Sequence, residues 1–285
     1  MKPLHDCNAV ISGASVGLGF AIAKAFIQQG ANVTICARNL EQLLHAQSQL
    51  QAIAENSLVV IVQADMSQED DVSRLMTIAL DKMGCVTTLV ANAAIHGPKG
   101  SVEDVSWQEW SHTIDVNLKG TVLQCRAILP HFKHQNHGKI ILLSGGGATA
   151  PRPYLSAYAA SKAAIVRFGE TLACEVSNCN ITVNSIAPGA LNTRLLDDLL
   201  AAGPEKIGMH VYEEALKQKQ HGGSPMTLAT NLCAFLASSR SVGITGKLIS
   251  ALWDLWQDWP NHLKQLHQSD LYTLRRIVPE HSFGI

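Results

Sequence analysis

Short apolar runs alternate with longer segments of helical periodicity along most of this chain, and no other feature restricts its fold as strongly. We predict seven strands, at residues 7–12, 32–37, 58–64, 86–91, 138–144, 181–187 and 246–250. Apolar residues recur at helical spacing in the intervening stretches 17–29, 40–55, 68–83, 107–134 and 157–177. Strands that alternate with helices form parallel sheets with crossover helices. We therefore predict an α/β fold with a doubly wound parallel sheet.

The strand interiors indicate that helices cover both faces of this sheet. Residues 58–62 and 140–143 are continuously apolar, without the polar and apolar alternation of half-exposed strands. No linker, repeat or low-complexity segment interrupts residues 1–250, so we predict a single domain there. Residues 251–285 differ in character, and we expect this C-terminal extension to pack on the same domain or on a neighbouring subunit.

Three tryptophans recur at every third position of the extension, at Trp253, Trp256 and Trp259. On a helix or a 3₁₀ turn this spacing forms an aromatic stripe, and most such stripes serve packing. Contact with a substrate pocket or with a second subunit is the alternative interpretation.

Composition excludes several classes of partner. The 22 Lys and Arg residues nearly balance 23 Asp and Glu residues, which leaves no basic surface for nucleic acid or an anionic membrane. The apolar runs are far shorter than the roughly 20 residues that cross a bilayer. Seven cysteines, odd in number and scattered, indicate free thiols in a reducing compartment. We expect a cytoplasmic protein with no nucleic-acid and no membrane partner.

A glycine-rich turn joins the first predicted strand to the first predicted helix. Its residues include Gly13, Ser15, Gly17, Leu18 and Gly19. Glycine permits a tight turn and a close approach of backbone to ligand, and the N–H groups of a helix N-terminus favour anions. A purely structural turn is the alternative, but the order of strand, turn and helix favours a dinucleotide pyrophosphate.

The end of the second strand bears on the choice of cofactor. NAD enzymes usually place a carboxylate there for the ribose hydroxyls, whereas this chain has Ala37, followed by Arg38 and Asn39. A guanidinium pairs with a 2′-phosphate, so NADP(H) is favoured over NAD(H), unless Arg38 is only a solvated surface residue. Asp65, followed by Met66, is placed to accept a hydrogen bond from the adenine amino group, or else to cap the next helix.

Tyr158 and Lys162 are four residues apart and therefore share one face of a predicted helix. A phenol is a poor acid–base group at pH 7 unless a neighbouring positive charge lowers its pKa. A solvated surface pair is the alternative. The pair follows the fifth strand, whose carboxyl end faces the same crevice as the glycine turn, and this position indicates a proton-transfer group.

The chain resembles the short-chain dehydrogenase/reductase family, in its single-domain branch with the Tyr-x3-Lys pair, over about residues 5 to 250. The matching motifs follow the family's order, and they are the glycine turn, Asn92, Asn117, Ser144, Tyr158 with Lys162, Pro188 with Gly189, and Thr193. The resemblance implies a Rossmann-type fold, a small-molecule carbonyl or alcohol substrate and a homo-oligomer, either a dimer or a tetramer.

The resemblance also implies roles for the four residues expected to be catalytic. Tyr158 exchanges a proton with the substrate oxygen, and Lys162 holds the nicotinamide ribose and lowers the tyrosine's pKa. Asn117 positions a water that links Lys162 to solvent. Ser144 donates a hydrogen bond to the carbonyl oxygen.

The same resemblance assigns residues to the nicotinamide half of the cofactor. Pro188, Gly189 and Thr193 border the nicotinamide, with the Thr193 hydroxyl near its carboxamide. Asn92 is the retained second asparagine of a motif that here reads Ala-Asn-Ala-Ala in place of Asn-Asn-Ala-Gly. The altered motif places Ala94 close to the expected cofactor.

The serine position departs from the family's usual spacing. The family's serine lies 13 residues before the tyrosine, which in this chain is Gly145 rather than Ser144. We expect Ser144 to fill the role through a local shift in the following glycine run, because glycines make backbone adjustment easy. Residues 194–223 occupy the place of the family's substrate-covering helices and are the expected lid.

His131, His134 and His137 have a spacing that suggests a metal site, but no acidic or cysteine partner lies nearby in the sequence. We therefore expect no metal. The leading hypothesis is an NADP(H)-dependent oxidoreductase that interconverts a carbonyl and a secondary alcohol. The alternative is a non-catalytic dinucleotide-binding protein that uses its aromatic tail for a partner. Among substrates, 3-oxoacyl thioesters and polar, sugar-like carbonyl compounds stay open.

Overall fold

A computed structural model describes residues 2–276 of the protein. Its centre is a sheet of seven strands, all parallel, in the order β3-β2-β1-β4-β5-β6-β7. The strands are β1 (Asn8–Ser12), β2 (Asn32–Ala37), β3 (Val59–Gln63), β4 (Thr88–Ala91), β5 (Gly138–Leu143), β6 (Ile181–Ala187) and β7 (Leu248–Ser250). The predicted Rossmann-type, doubly wound α/β fold is confirmed.

Eleven α-helices connect or flank these strands in the described residues. They are α1 (Gly17–Gln28), α2 (Leu40–Gln51), α3 (Glu69–Met83), α4 (Trp107–Ile114), α5 (Gly120–His134), α6 (Ser156–Glu175), α7 (Arg194–Ala202), α8 (Pro204–Ile207), α9 (Met209–His221), α10 (Met226–Ala237) and α11 (Leu263–His267). None of the helices in residues 2–276 is long and apolar enough to cross a membrane.

Two buried apolar clusters explain why polar and apolar residues do not alternate along the strands. One cluster packs α1, α2 and α10 on one face of the sheet, through residues such as Phe26 and Leu232. The other packs α3, α5 and α6 on the opposite face, through residues such as Leu75, Ile128 and Ile165. Every residue of β5 is consequently buried, as the continuous apolar run predicts.

Strand order reverses between β1 and β4, since β1 pairs with β2 on one side and with β4 on the other. In open parallel sheets, ligands bind outside the carboxyl ends of the strands at such a switch point. The glycine turn after β1 and the segment after β4 therefore lie side by side, and this crevice is where the topology places a site.

The predicted helix 107–134 is one continuous rod in the structure but contains a π-helical turn. This turn, Asp115–Lys119, joins α4 to α5. Turns of this kind insert one residue into the helical ladder and occur often at functional sites. Asn117 lies in the middle of the π-helical turn and is fully buried.

The described part of the C-terminal extension, residues 251–276, folds back onto the helices and onto β7. Trp256 packs against Phe235 of α10 with ring centroids 5.1 Å apart, and Trp259 packs against Tyr272 at 4.3 Å. Trp253, in contrast, is 81 % exposed. The tryptophan stripe is therefore divided between core and surface. The rest of the predicted extension, residues 277–285, lies outside the described residues.

Candidate active site

A cavity of about 1070 Å³ opens at the carboxyl ends of the strands. It brings together almost every site residue predicted from the sequence, namely Gly13, Ser15, Gly17, Leu18, Gly19, Arg38, Asn39, Asp65, Met66, Asn92, Ser144, Tyr158, Lys162, Pro188, Gly189 and Thr193. Asn117 is the one predicted residue that does not line this cavity. Predictions from separate stretches of sequence thus converge on one crevice.

The glycine turn is built so that backbone faces the cavity. Gly13 and Gly17 both have φ +62°, a conformation that favours glycine. A Cβ placed at Gly19 would lie 2.4 Å from the carbonyl oxygen of Gly13, so the start of α1 packs too closely for any side chain. No side chain caps the N-terminus of α1, and Gly17, its first residue, lines the cavity. This arrangement fits a pyrophosphate.

Asn92, the residue that follows β4, holds the glycine turn through hydrogen bonds. Its side-chain amide donates to the carbonyl oxygens of Ser12 and Gly13, at 2.8 and 3.0 Å. Its backbone N–H donates to the Ser12 hydroxyl at 3.1 Å. Asn92 therefore fixes the turn across the switch point.

At the end of β2 the crevice has Arg38 and no carboxylate. Arg38 is exposed at the cavity wall, next to Ala37. The Asn39 side chain caps α2 by accepting from Gln42 N at 2.8 Å. One oxygen of Asp65 accepts from the backbone N–H and the hydroxyl of Ser67, at 2.9 and 2.8 Å. Asp65 thus orders the turn before α3 without capping that helix, whose N-cap residue is Gln68, and it lines the cavity.

Asn117 lies behind the cavity wall and holds the segment after β4. Its Oδ1 accepts from the N–H of Ile95 at 2.8 Å, and its Nδ2 donates to the Ile95 carbonyl at 2.9 Å. Nδ2 also donates to the Ser161 hydroxyl at 3.0 Å, and the Asn117 carbonyl accepts from Thr121 at 2.7 Å. Both amide hydrogens are therefore used in bracing. A role of Asn117 in positioning a water that links Lys162 to solvent stays a prediction.

Tyr158 and Lys162 lie one turn apart on α6, with the Lys162 Nζ 5.7 Å from the centroid of the Tyr158 ring. Lys162 is buried and donates to the carbonyl oxygen of Leu143 at 2.7 Å. Burial lowers the pKa of Lys162 to about 8. Burial also raises the pKa of Tyr158, and the positive charge of Arg152 opposes that rise. Desolvation of the phenol outweighs this opposing charge, and the lowering of the Tyr158 pKa by Lys162 stays a prediction.

The structure assigns the family's serine position to Gly145. The Ser144 hydroxyl donates to the backbone carbonyl of Lys162 at 3.1 Å, so it is used within the wall. A Cβ placed at Gly145 would lie 2.9 Å from the Tyr158 Oη. Gly145 therefore lies beside the phenol in this structure, and the catalytic role expected of Ser144 stays a prediction. The position beside the phenol carries no hydroxyl.

The cavity is also lined by two residues that no sequence motif indicated. His96 follows β4 by a short segment, and its ring meets the Tyr158 ring edge-on, with centroids 4.8 Å apart. Arg152 lies over Gly146, where a Cβ would come within 2.7 Å of its Nη2. Position after the carboxyl end of a central strand is the signal that could have identified His96.

Helices α7 and α9 form the outer wall of the cavity, within the predicted lid 194–223. Leu195, Leu199 and Val211 contribute apolar surface, and His210 and Glu214 contribute polar groups. The exposed Trp253 does not line the cavity. His131, from the suspected histidine group, bonds the backbone of Val86 instead.

Comparisons with known proteins identify the family of this chain. The family model described as short chain dehydrogenase matches residues 7–202. Human "Dehydrogenase/reductase SDR family member 4" is 31 % identical over 250 residues, which cover 87 % of this chain and 86 % of that protein. The "NADP-dependent (R)-specific alcohol dehydrogenase" of Lentilactobacillus kefiri is 32 % identical over 246 residues, covering 84 % and 92 %.

Among solved structures, NAD+-bound xylitol dehydrogenase superposes with a TM-score of 0.76 at 21 % identity, covering 85 % of this chain and 96 % of that chain. At this identity the likeness shows the fold alone. The family model matches more than half of this chain, and the two relatives are over 30 % identical across most of it. The chain therefore belongs to the short-chain dehydrogenase/reductase family and is an oxidoreductase.

Proposed function

We propose that this protein interconverts a carbonyl and a secondary alcohol with NADP(H), and that Tyr158 is its proton donor and acceptor. One observation carries the proposal: the Tyr158 phenol and the Lys162 ammonium share a cavity with the glycine-rich turn. A bound nicotinamide would lie near Pro188, Gly189 and Thr193 and would supply or accept the hydride.

In the direction of reduction, the residues of the chain supply the proton. The raised pKa of Tyr158 keeps its phenol protonated at neutral pH, so it can donate to the forming alkoxide. Lys162, with a pKa of about 8, is mostly charged at pH 7 and stabilises the phenolate left behind. The remaining apolar lining, including Leu195 and Leu199, excludes water from the reacting atoms.

The preference for NADP(H) rests on Arg38 and on the missing acid at Ala37. The Lentilactobacillus kefiri relative is named as NADP-dependent, whereas the xylitol dehydrogenase structure holds NAD+. A guanidinium that pairs with the 2′-phosphate contributes about 1.5–3 kcal/mol, or roughly 10- to 100-fold in affinity. We also propose a homotetramer and a cytoplasmic location, the latter supported by seven unpaired cysteines.

The decisive experiment compares the wild type with Tyr158→Phe in reducing 2,3-butanedione, a small diketone whose second carbonyl activates the first. Phenylalanine keeps the aromatic ring but lacks the hydroxyl that donates the proton. We expect turnover to fall by about 10²- to 10⁴-fold while NADPH binding, followed by nicotinamide fluorescence, stays the same. Equal turnover in both proteins would refute the proposed role of Tyr158.

Cofactor preference has its own test. Parallel fluorescence titrations with NADPH and NADH should give tighter NADPH binding, and Arg38→Asp should reverse the order. An unchanged ratio of the two affinities in Arg38→Asp would contradict the role of Arg38. A protein that binds NADPH but turns over no carbonyl would favour the non-catalytic alternative.

A further inference from the structure

Arg152 supplies a positive charge to the cavity close to the Tyr158 phenol. Both residues line the cavity. Burial raises the pKa of Tyr158, and the charge of Arg152 acts against that rise, so the two groups are near enough to interact. Among residues 2–276, no carboxylate forms an ion pair with the Arg152 guanidinium. The described part of the protein therefore leaves this charge without a counter-ion.

The guanidinium lies against backbone that carries no side chains. A Cβ placed at Gly146 would lie 2.7 Å from the Arg152 Nη2, and one at Gly147 would lie 3.6 Å from its Cγ. The preceding residue, Gly145, faces the phenol instead, since its Cβ would lie 2.9 Å from the Tyr158 Oη. The glycine run thus gives room to the phenol at one residue and to the guanidinium at the next, and it brings both groups to the same stretch of wall.

The backbone that carries Arg152 is restricted by a proline on each side. Pro151 and Pro153 both line the cavity. A proline fixes its own φ and limits the conformations of the residue before it, which for Pro153 is Arg152. The Arg152 carbonyl also accepts from the N–H of Leu155 at 3.2 Å. The side chain itself is exposed, so a ligand in solution can reach it from a backbone that loses little conformational entropy on binding.

The charged groups of the lid have partners of their own. On α7, the Arg194 Nε lies 3.9 Å from the Asp198 Oδ1. On α9, the His210 Nε2 lies 3.5 Å from the Glu214 Oε1. The two lid carboxylates that line the cavity are therefore paired within their own helices, and the Arg152 guanidinium stays available to an anion.

We propose that Arg152 binds a carboxylate of the substrate, so that the protein interconverts oxo acids and hydroxy acids. A planar guanidinium donates two parallel hydrogen bonds to a carboxylate, which an ammonium group cannot do. The carboxylate is unchanged in the reaction: an oxo acid, NADPH and the proton from Tyr158 give a hydroxy acid and NADP+. This inference rests on the proposed carbonyl chemistry of the site and names the class of its substrate.

The test compares each oxo acid with its own methyl ester. Benzoylformate, acetoacetate and 4-oxopentanoate place the carbonyl and the carboxylate progressively further apart, and each ester keeps the carbonyl while removing the charge. The measured quantity is kcat/KM for the acid divided by kcat/KM for the ester, with NADPH as the cofactor. An influence of Arg152 on the pKa of Tyr158 affects acid and ester alike and cancels in this ratio, so the ratio reports carboxylate binding alone.

Three variants are measured beside the wild type. Arg152→Gln removes the charge, Arg152→Lys keeps the charge without the fork, and Arg194→Gln is the matched control at a paired arginine of the same cavity. We expect the wild type to prefer at least one acid to its ester. Arg152→Gln should lower that ratio by about 10- to 100-fold, as the loss of a hydrogen-bonded charge pair does, Arg152→Lys should lie between, and Arg194→Gln should keep the ratio of the wild type.

The inference is overturned if the wild type prefers every ester, if Arg152→Gln keeps the ratio of the wild type, or if Arg194→Gln lowers it equally. Weaker NADPH binding by Arg152→Gln, followed by nicotinamide fluorescence, would assign Arg152 to the cofactor and would also overturn it. In these cases the proposed function stands as long as the wild type reduces 2,3-butanedione, which has no carboxylate, and Tyr158→Phe does not. If the wild type reduces neither 2,3-butanedione nor any acid or ester, or if Tyr158→Phe is fully active, the proposed function and this inference fall together.

Discussion

A methyl group at Gly145 should displace the catalytic phenol. The Cβ of Gly145→Ala would lie 2.9 Å from the Tyr158 Oη, whereas unstrained contacts to carbon lie near 3.5 Å. The φ and ψ of Gly145 are 175° and 177°, an extended conformation that alanine adopts freely, so backbone strain adds nothing. The steric conflict must be relieved by moving the hydroxyl through roughly half an ångström.

This displacement gives the size of the expected effect. A misplacement of about 1 Å in a catalytic group costs on the order of 10²-fold in rate, so half of that costs about 10-fold, or about 1.4 kcal/mol of barrier. Gly146→Ala is the matched control. Its Cβ would meet the Nη2 of Arg152, the end of a flexible and exposed side chain that can swing away.

The assay measures kcat for NADPH-dependent reduction of 2,3-butanedione, with NADPH affinity and thermal unfolding as checks on the integrity of the fold. We expect Gly145→Ala to lose about 10-fold in kcat and Gly146→Ala to lose less than 3-fold, with NADPH affinity unchanged in both. If Gly145→Ala retains full kcat, the phenol is not held where the structure shows it, and the reasoning fails.

Three further predictions concern pH and stability. The folded-state pKa of His96 is about 4, so the unfolded chain binds the proton first as pH falls from 6.5. The free energy of unfolding should therefore drop by about 2.5 kcal/mol by pH 4.5. Urea unfolding of the wild type should show this loss, and urea unfolding of His96→Asn should show clearly less. Reduction should slow above about pH 8 as Lys162 loses its charge, and a flat kcat profile up to pH 10 would contradict this. The Glu170 side chain is 9 % exposed, accepts from Leu274 N at 2.7 Å and pairs with two half-exposed arginines. Glu170→Gln should therefore lower the free energy of unfolding by about 1–2 kcal/mol, while the exposed Glu175→Gln should not change it.

The fold and the cofactor crevice could be predicted because local patterns determine them. Apolar runs give the strands, and the strand order places the glycine turn beside the segment after β4. The ends of the strands were harder to predict from the sequence. β7 begins at Leu248, two residues after the predicted start, since it pairs with only three residues of β6. The π-helical turn around Asn117 could not be predicted, because helical periodicity hardly changes when one residue is inserted.

The chemistry within the crevice depends on contacts between distant segments, and sequence spacing reports these poorly. Counting from Tyr158 leads to Gly145 whereas we expected Ser144 to fill the role, and nothing in the sequence shows that the Ser144 hydroxyl is bonded to a carbonyl of α6. The pKa of Tyr158 depends on its burial, which no spacing reveals. His96 belongs to no motif of this chain, so its unpaired nitrogen becomes visible only in three dimensions.

The side chain of Asn117 hydrogen-bonds the backbone of Ile95 as a neighbouring strand would. Its amide pairs with both the N–H and the C=O of Ile95, four residues after the end of β4, where the sheet no longer provides partners. Because His96 is the next residue, any change of Asn117 also releases the imidazole. An Asn117 variant that loses activity could therefore have lost the fixed backbone at Ile95 and His96 rather than a proton relay. A redesign of the pocket around position 96 must keep Asn117.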